Sequence, residues 1–180
     1  MAKPLWIGLF RGVNVGGNNK LPMKELAQLL TAEGLENVRT YIASGNILFR
    51  SELGIEALDK KIGDAIEGRF GFRPSLFLVT LEHLEKLLET NPYRDWEAKG
   101  KGQHIFFIKG PVKLADLEGL AALKDNGEDF TLTDEAFFLY APEGVGRSKL
   151  VEKMGKYLKA DMTARNLNTV ETLRDMAKAG

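Results

Sequence analysis

Apolar positions along this chain alternate between a strand-like and a helix-like rhythm. Residues 5–10 form a short apolar run that reads as a buried strand. After Pro22, which suits a first helical position, Met23, Leu26, Leu29 and Leu30 recur at helical spacing, and Gly34 supplies a stop. Runs at 38–42 and 47–50 flank Ala43-Ser44-Gly45-Asn46 and predict a hairpin. Ile55, Leu58, Ile62, Ile66 and Phe70 mark a second helix closed by Gly71, and 75–80 a fourth strand. The order β-α-β-β-α-β is the ferredoxin-like unit. Thr80 then opens a further helix with Leu81, Leu84, Leu87 and Leu88 on one face.

Asn91-Pro92-Tyr93-Arg94-Asp95 breaks that helix, and the stretch to Gly102 is rich in charge and poor in aliphatics. Beyond it the order repeats. A strand is expected at 104–109, then a helix on Leu114, Leu117, Leu120 and Leu123. A hairpin of 130–133 and 136–141 turns at Asp134, and Ser148 caps a helix carrying Val151, Met154 and Leu158. A short strand near 161–164 and a last helix from about Asn166, with Leu167, Val170, Leu173 and Met176, complete the set. The expected fold is α+β: two ferredoxin-like βαββαβ units in tandem, each followed by an extra helix. The expected division is 1–90, a linker at 91–102, and 103–180.

Topology brings particular loops together. In a βαββαβ sheet strands 1 and 2 run parallel, so the loop after strand 1 and the turn between strands 2 and 3 lie at one sheet end. In the first half these are residues 11–20, Arg-Gly-Val-Asn-Val-Gly-Gly-Asn-Asn-Lys, and Ser44-Gly45-Asn46. Glycine lets backbone amides approach a ligand, and a helix start favours anions. In the second half the loop Pro142-Glu143-Gly144-Val145-Gly146-Arg147-Ser148-Lys149 and the strand end at Arg165-Asn166 share an edge. The candidate ligand contacts are Arg11, Asn14, Gly16, Gly17, Asn18, Lys20, Ser44 and Asn46, with Arg147, Ser148, Lys149, Arg165 and Asn166 as a second cluster.

Composition narrows the chemistry. The 180 residues carry 25 basic and 25 acidic side chains, and each half balances its own, so charge lends no support to broad nucleic-acid binding. There is no cysteine, which excludes thiolate catalysis, disulfides and Cys-based metal sites. His83 and His104 share no metal-ligand spacing, so no His-rich metal site is expected; an all-oxygen Mg2+ site stays open, and no residue is assigned as a metal ligand. No apolar run approaches the ~20 residues of a membrane span, and the start Met-Ala-Lys-Pro-Leu-Trp lacks a signal-peptide core, so a cytoplasmic protein is expected.

No cofactor signature is present. Gly12 and Gly17 have the glycine spacing of a phosphate-binding P-loop, but Asn18 and Asn19 stand where Lys and Ser or Thr are required. Ser148 and Lys149 are helix neighbours that do not face each other, so no nucleophile–base pair arises there. Cofactor, reaction and oligomeric state are unassigned.

The motifs Arg-Gly-Val-Asn-Val-Gly-Gly-Asn-Asn-Lys, Tyr-Ile-Ala-Ser-Gly-Asn-Ile-Leu-Phe, Asn-Pro-Tyr, Leu-Tyr-Ala-Pro-Glu-Gly-Val-Gly-Arg-Ser-Lys-Leu and Thr-Ala-Arg-Asn-Leu-Asn-Thr-Val together resemble the bacterial domain-of-unknown-function (DUF) family 1697. They span nearly the whole chain, with Leu167 standing where an aromatic is usual and Tyr93 where Phe is common. The resemblance implies a two-lobed fold of ferredoxin-like units and no known activity. The expected function is binding of a small anionic ligand, a nucleotide or phosphorylated metabolite. The alternative is a non-catalytic interaction module for a protein or nucleic-acid partner, using sheet faces or edges.

Overall fold

The computed structural model describes residues 1–98 and 100–180, so the expected linker at 91–102 includes one position, Lys99, outside the described residues. The chain divides into two compact units, Met1–His83 with Asp175–Gly180, and Leu84–Arg174. Each is built on a four-stranded antiparallel sheet with flanking helices, an α+β architecture of tandem ferredoxin-like units.

The first unit runs β1 (Leu5–Arg11), α1 (Met23–Ala32), β2 (Glu36–Tyr41), β3 (Asn46–Arg50), α2 (Ile55–Phe70) and β4 (Ser75–Val79). Its strand order is β2-β3-β1-β4, and each neighbouring pair is antiparallel. β1 and β2 therefore run the same way, and their ends meet at one edge. Strand alternation sends Trp6 and Phe10 to the face carrying Ile47, Phe49 and Leu76, where Leu26, Leu30, Leu58, Ile62 and Ile66 close the core. Gly8 lies among them because a Cβ there would sit 2.7 Å from Ile47 Cγ1. Gly71, at φ 80°, ends α2 as its spacing suggests, its amide donating to the Glu67 carbonyl at 2.9 Å. The Arg39 guanidinium donates to the Met176 carbonyl at 2.9 Å and ties the end of the chain to β2.

α3 (Leu81–Thr90) follows, with the Thr80 hydroxyl accepting the His83 amide at 3.2 Å. The second unit then runs β5 (Gln103–Ala115), α4 (Leu117–Ala121), β6 (Asp129–Leu132), β7 (Ala136–Tyr140), α5 (Lys149–Tyr157) and β8 (Leu158–Asn166), before α6 (Leu167–Lys178). Its order, β6-β7-β5-β8, repeats that of the first sheet, again antiparallel throughout. Phe106, Phe137, Leu139, Leu150, Met154 and Leu158 form its core.

Two expectations for this half are corrected. β5 and β8 extend beyond the expected strands, pairing Leu114 with Lys159 and Ala115 with Leu158 after a register shift. Leu114 and Leu158 thus belong to strands. Asp116 then starts α4 by accepting the Gly119 amide at 2.9 Å, which leaves that helix only five residues. The leucine spacing from 114 to 123 imitates a longer helix because a strand end and a short helix happen to continue one apolar period.

Candidate functional site

The 11–20 loop is a miniature hairpin standing on the end of the first sheet. Gly16 and Gly17 both have positive φ, 59° and 76°, as a type I′ turn requires. Across the turn the Asn18 amide donates to the Val15 carbonyl at 3.0 Å, and the Asn14 amide to the Asn19 carbonyl at 3.1 Å. Asn14 and Asn19 are left-handed too, at φ 54° and 49°, a conformation asparagine tolerates better than most residues.

Asparagine side chains do the bracing. Asn14 Nδ2 donates to the Leu21 and Ala43 carbonyls at 3.0 and 2.8 Å, and its Oδ1 accepts the Leu21 amide at 2.7 Å. Asn19 Nδ2 donates to the Gly12 carbonyl at 3.3 Å. Beneath the loop the buried Val13 packs on Gly45, and the Phe10 amide donates to the Gly45 carbonyl at 2.8 Å. Asn46 is buried, and its Nδ2 donates to the Tyr41 carbonyl at 2.9 Å and to Ser44 Oγ at 3.1 Å.

The loop and the β2–β3 turn are thus one connected structure. Within it Asn14, Asn19 and Asn46 hold the backbone, while Arg11, Gly16, Gly17, Asn18, Lys20 and Ser44 face solvent. Two apolar side chains are exposed at the same end: Val15 at 64% and Ile42 at 49%. Ile42 lies at φ 50°, an unusual conformation for a β-branched residue.

The residues of the second candidate cluster take different structural roles at one end of the second sheet. Ser148 is buried and caps α5, its Oγ accepting the Val151 amide at 3.2 Å. With Arg147 it lines a hollow of about 460 Å3, together with Asn126, Glu128, Glu143, Gly144 and Gly146. Lys149 is exposed, and neither it nor Arg165 is among the lining residues. Arg165 is 7% exposed, and its Nη1 donates to Thr163 Oγ1 and to the Ala164 carbonyl, both at 2.9 Å. Burial pulls its guanidinium down to about 10. Asn166 Oδ1 accepts the Thr169 amide at 2.9 Å, capping α6.

Sequence reasoning missed a polar network in the second unit. Gln103 is 1% exposed, and its Nε2 donates to the Tyr93, Trp96 and Glu97 carbonyls at 2.8, 3.3 and 3.4 Å. Its Oε1 accepts Asn91 Nδ2 at 3.2 Å, and Asn91 Oδ1 accepts the Tyr93 amide at 3.0 Å. The network holds Tyr93 and Trp96 against Tyr140, with ring centroids 4.9–5.8 Å apart. The Asn-Pro pair signals its turn. Gln103 carries no such local sign, because its partners lie 6–12 residues away. Burial lowers the pKa of His104, whose Nδ1 has no hydrogen-bond partner among the described residues.

Among the described residues no group of three or more His, Asp or Glu is arranged to hold a metal ion, and no helix is long and apolar enough to cross a membrane. A solved structure described as a conserved bacterial protein, SP0830, from Streptococcus pneumoniae is similar, with 27% identity and a TM-score of 0.68 over 97% of this chain and 98% of that one. No curated protein matches the chain. The family model described as "Protein of unknown function (DUF1697)" matches residues 4–138, and the chain belongs to that family.

Proposed function

We propose that this chain is a cytoplasmic protein that binds a small anionic ligand, a nucleotide or phosphorylated metabolite, at the 11–20 loop. Arg11, Lys20, Asn18 and the amides of Gly16 and Gly17 are the donors, with Ser44 beside them. The observation that carries this reading is the type I′ tip braced by Asn14. Successive turn amides form a concavity that suits anions. A loop already held by its own side chains loses little entropy when a ligand arrives. Asn14 and Asn46 act as supports for that surface.

The test is thermal unfolding of the full chain against nucleotides, sugar phosphates, coenzymes and inorganic phosphate. A ligand at 100 times its dissociation constant stabilises by ~2.7 kcal/mol, which is roughly 5–10 °C for a chain of this size. The shift should vanish in Arg11→Ala and Lys20→Ala. Absence of a shift across the panel refutes the reading.

The exposed Val15 and Ile42 favour a second reading, a non-catalytic module whose loop end docks a macromolecular partner. Arg11→Glu separates the two. It abolishes small-anion binding under the first reading and leaves apolar docking under the second, whereas Val15→Ser with Ile42→Thr does the reverse.

A further inference from the structure

The hollow at the start of α5 has a charge pattern that the anionic-ligand reading does not use. Its volume, about 460 Å3, is in the range of small-molecule sites. Glu128, Glu143 and Arg147 line it, with the Ser148-capped start of α5 and Asn126. Glu128 Oε2 accepts the Asp125 amide at 3.0 Å, which orients that carboxylate. Gly144 and Gly146 contribute wall without side chains, and a Cβ at either would meet open space. Among the described residues Arg147 closes no ion pair with either carboxylate.

Opposite charges therefore line one concavity without neutralising each other. Two carboxylates outweigh one guanidinium, even with the roughly half positive charge of a helix start. A phosphate dianion would meet repulsion from Glu128 and Glu143 as well as attraction from Arg147. A ligand carrying an ammonium and a carboxylate satisfies both signs, through charge-assisted hydrogen bonds.

We infer that this hollow binds a small zwitterion of the free-amino-acid class, with its ammonium at Glu128 and Glu143 and its carboxylate at Arg147 and the start of α5. The hollow is lined by residues of the second unit, and the inference does not depend on the anion reading at the 11–20 loop.

Isothermal titration of the full chain with glycine, L-alanine, L-glutamine and L-lysine tests it, each beside its N-acetyl and methyl ester forms, with inorganic phosphate as the competing probe. At least one free amino acid should bind. Capping either end, Glu143→Gln or Arg147→Ala should each weaken binding by about tenfold or more, the scale of one lost charge-assisted contact. Glu143 and Arg147 are exposed, so far-ultraviolet circular dichroism of these variants should match the parent. Arg11→Ala should leave amino-acid binding unchanged, which separates this site from the other. Binding by none of the free amino acids overturns the inference. So does phosphate binding more tightly than any of them, equal binding of the capped forms, or binding that survives both substitutions.

Discussion

Gly45→Ala is the sharpest perturbation of the loop platform. Gly45 sits at φ 92°, and a Cβ there would lie 2.6 Å from Val13 Cγ2 and 3.0 Å from Phe10 Cβ. The left-handed backbone alone costs an alanine ~1–2 kcal/mol. Both neighbours are 1% exposed and belong to the close-packed core of the first unit, so neither can swing away. Overpacking of this kind adds ~1–3 kcal/mol. The sum centres at ~3.5 kcal/mol, or a fall of roughly 7–14 °C in melting temperature for a chain of this length.

Gly12→Ala is the matched control. Its φ is 70°, but nothing lies within 4 Å of its would-be Cβ, so only the backbone part, ~1–2 kcal/mol, should be lost. Urea unfolding measures both variants. The chain has two tryptophans, so in a Trp96→Phe background the fluorescence of Trp6 reports the first unit alone. Adding Val13→Ala should reduce the Gly45→Ala penalty by about 1 kcal/mol, because the nearest clashing atom is gone. Equal losses for Gly45→Ala and Gly12→Ala, within ~0.5 kcal/mol, would refute the packing argument.

Asn14→Ala removes three hydrogen bonds and leaves an alanine at φ 54°, which should cost about 2–3 kcal/mol in urea unfolding; Asn14→Gly should recover ~1 kcal/mol of it, since glycine accepts that backbone. Gln103→Leu strands buried carbonyls and the Asn91 amide, so a loss of ~2–4 kcal/mol should accompany a changed Trp96 emission spectrum. Burial raises the Tyr93 phenol to about 12, whereas an unfolded tyrosine titrates near ~10. The folded state then keeps a proton that the unfolded chain has lost. Stability is intact below pH 10 and falls as pH rises through about 12. Tyr93→Phe should lose ~1 kcal/mol at neutral pH with its bond to Thr131, and should show a shallower decline above pH ~10 in denaturant titrations.

Local chemistry accounts for how much of this molecule could be read in advance. Strand alternation, helical spacing and the stops at Gly34 and Gly71 depend on residues within a few positions of one another, and all are visible in the chain. The β-α-β-β-α-β order then makes strands 1 and 2 parallel. From it the meeting of the 11–20 loop with the Ser44-Gly45-Asn46 turn could be derived. Leu114 and Leu158 misled because helical and strand periods coincide over three or four residues, and pairing between β5 and β8 decides between them.

Side-chain roles depended on distance in space. The sequence alone determines two sheets of βαββαβ order, a glycine–asparagine loop at the end of the first, and chemistry without thiols. It does not say that the Asn14 and Asn46 side chains bond to backbone carbonyls of the neighbouring turn and strand, because that follows from where the carbonyls of Tyr41 and Ala43 come to lie. Nor does it say that Arg165 is buried beside Thr163 while Arg147 lines a hollow with Glu128 and Glu143. A side chain bonds to whatever polar group the packed backbone brings within about 3 Å, and for Asn14 and Asn46 that group belongs to another turn or strand.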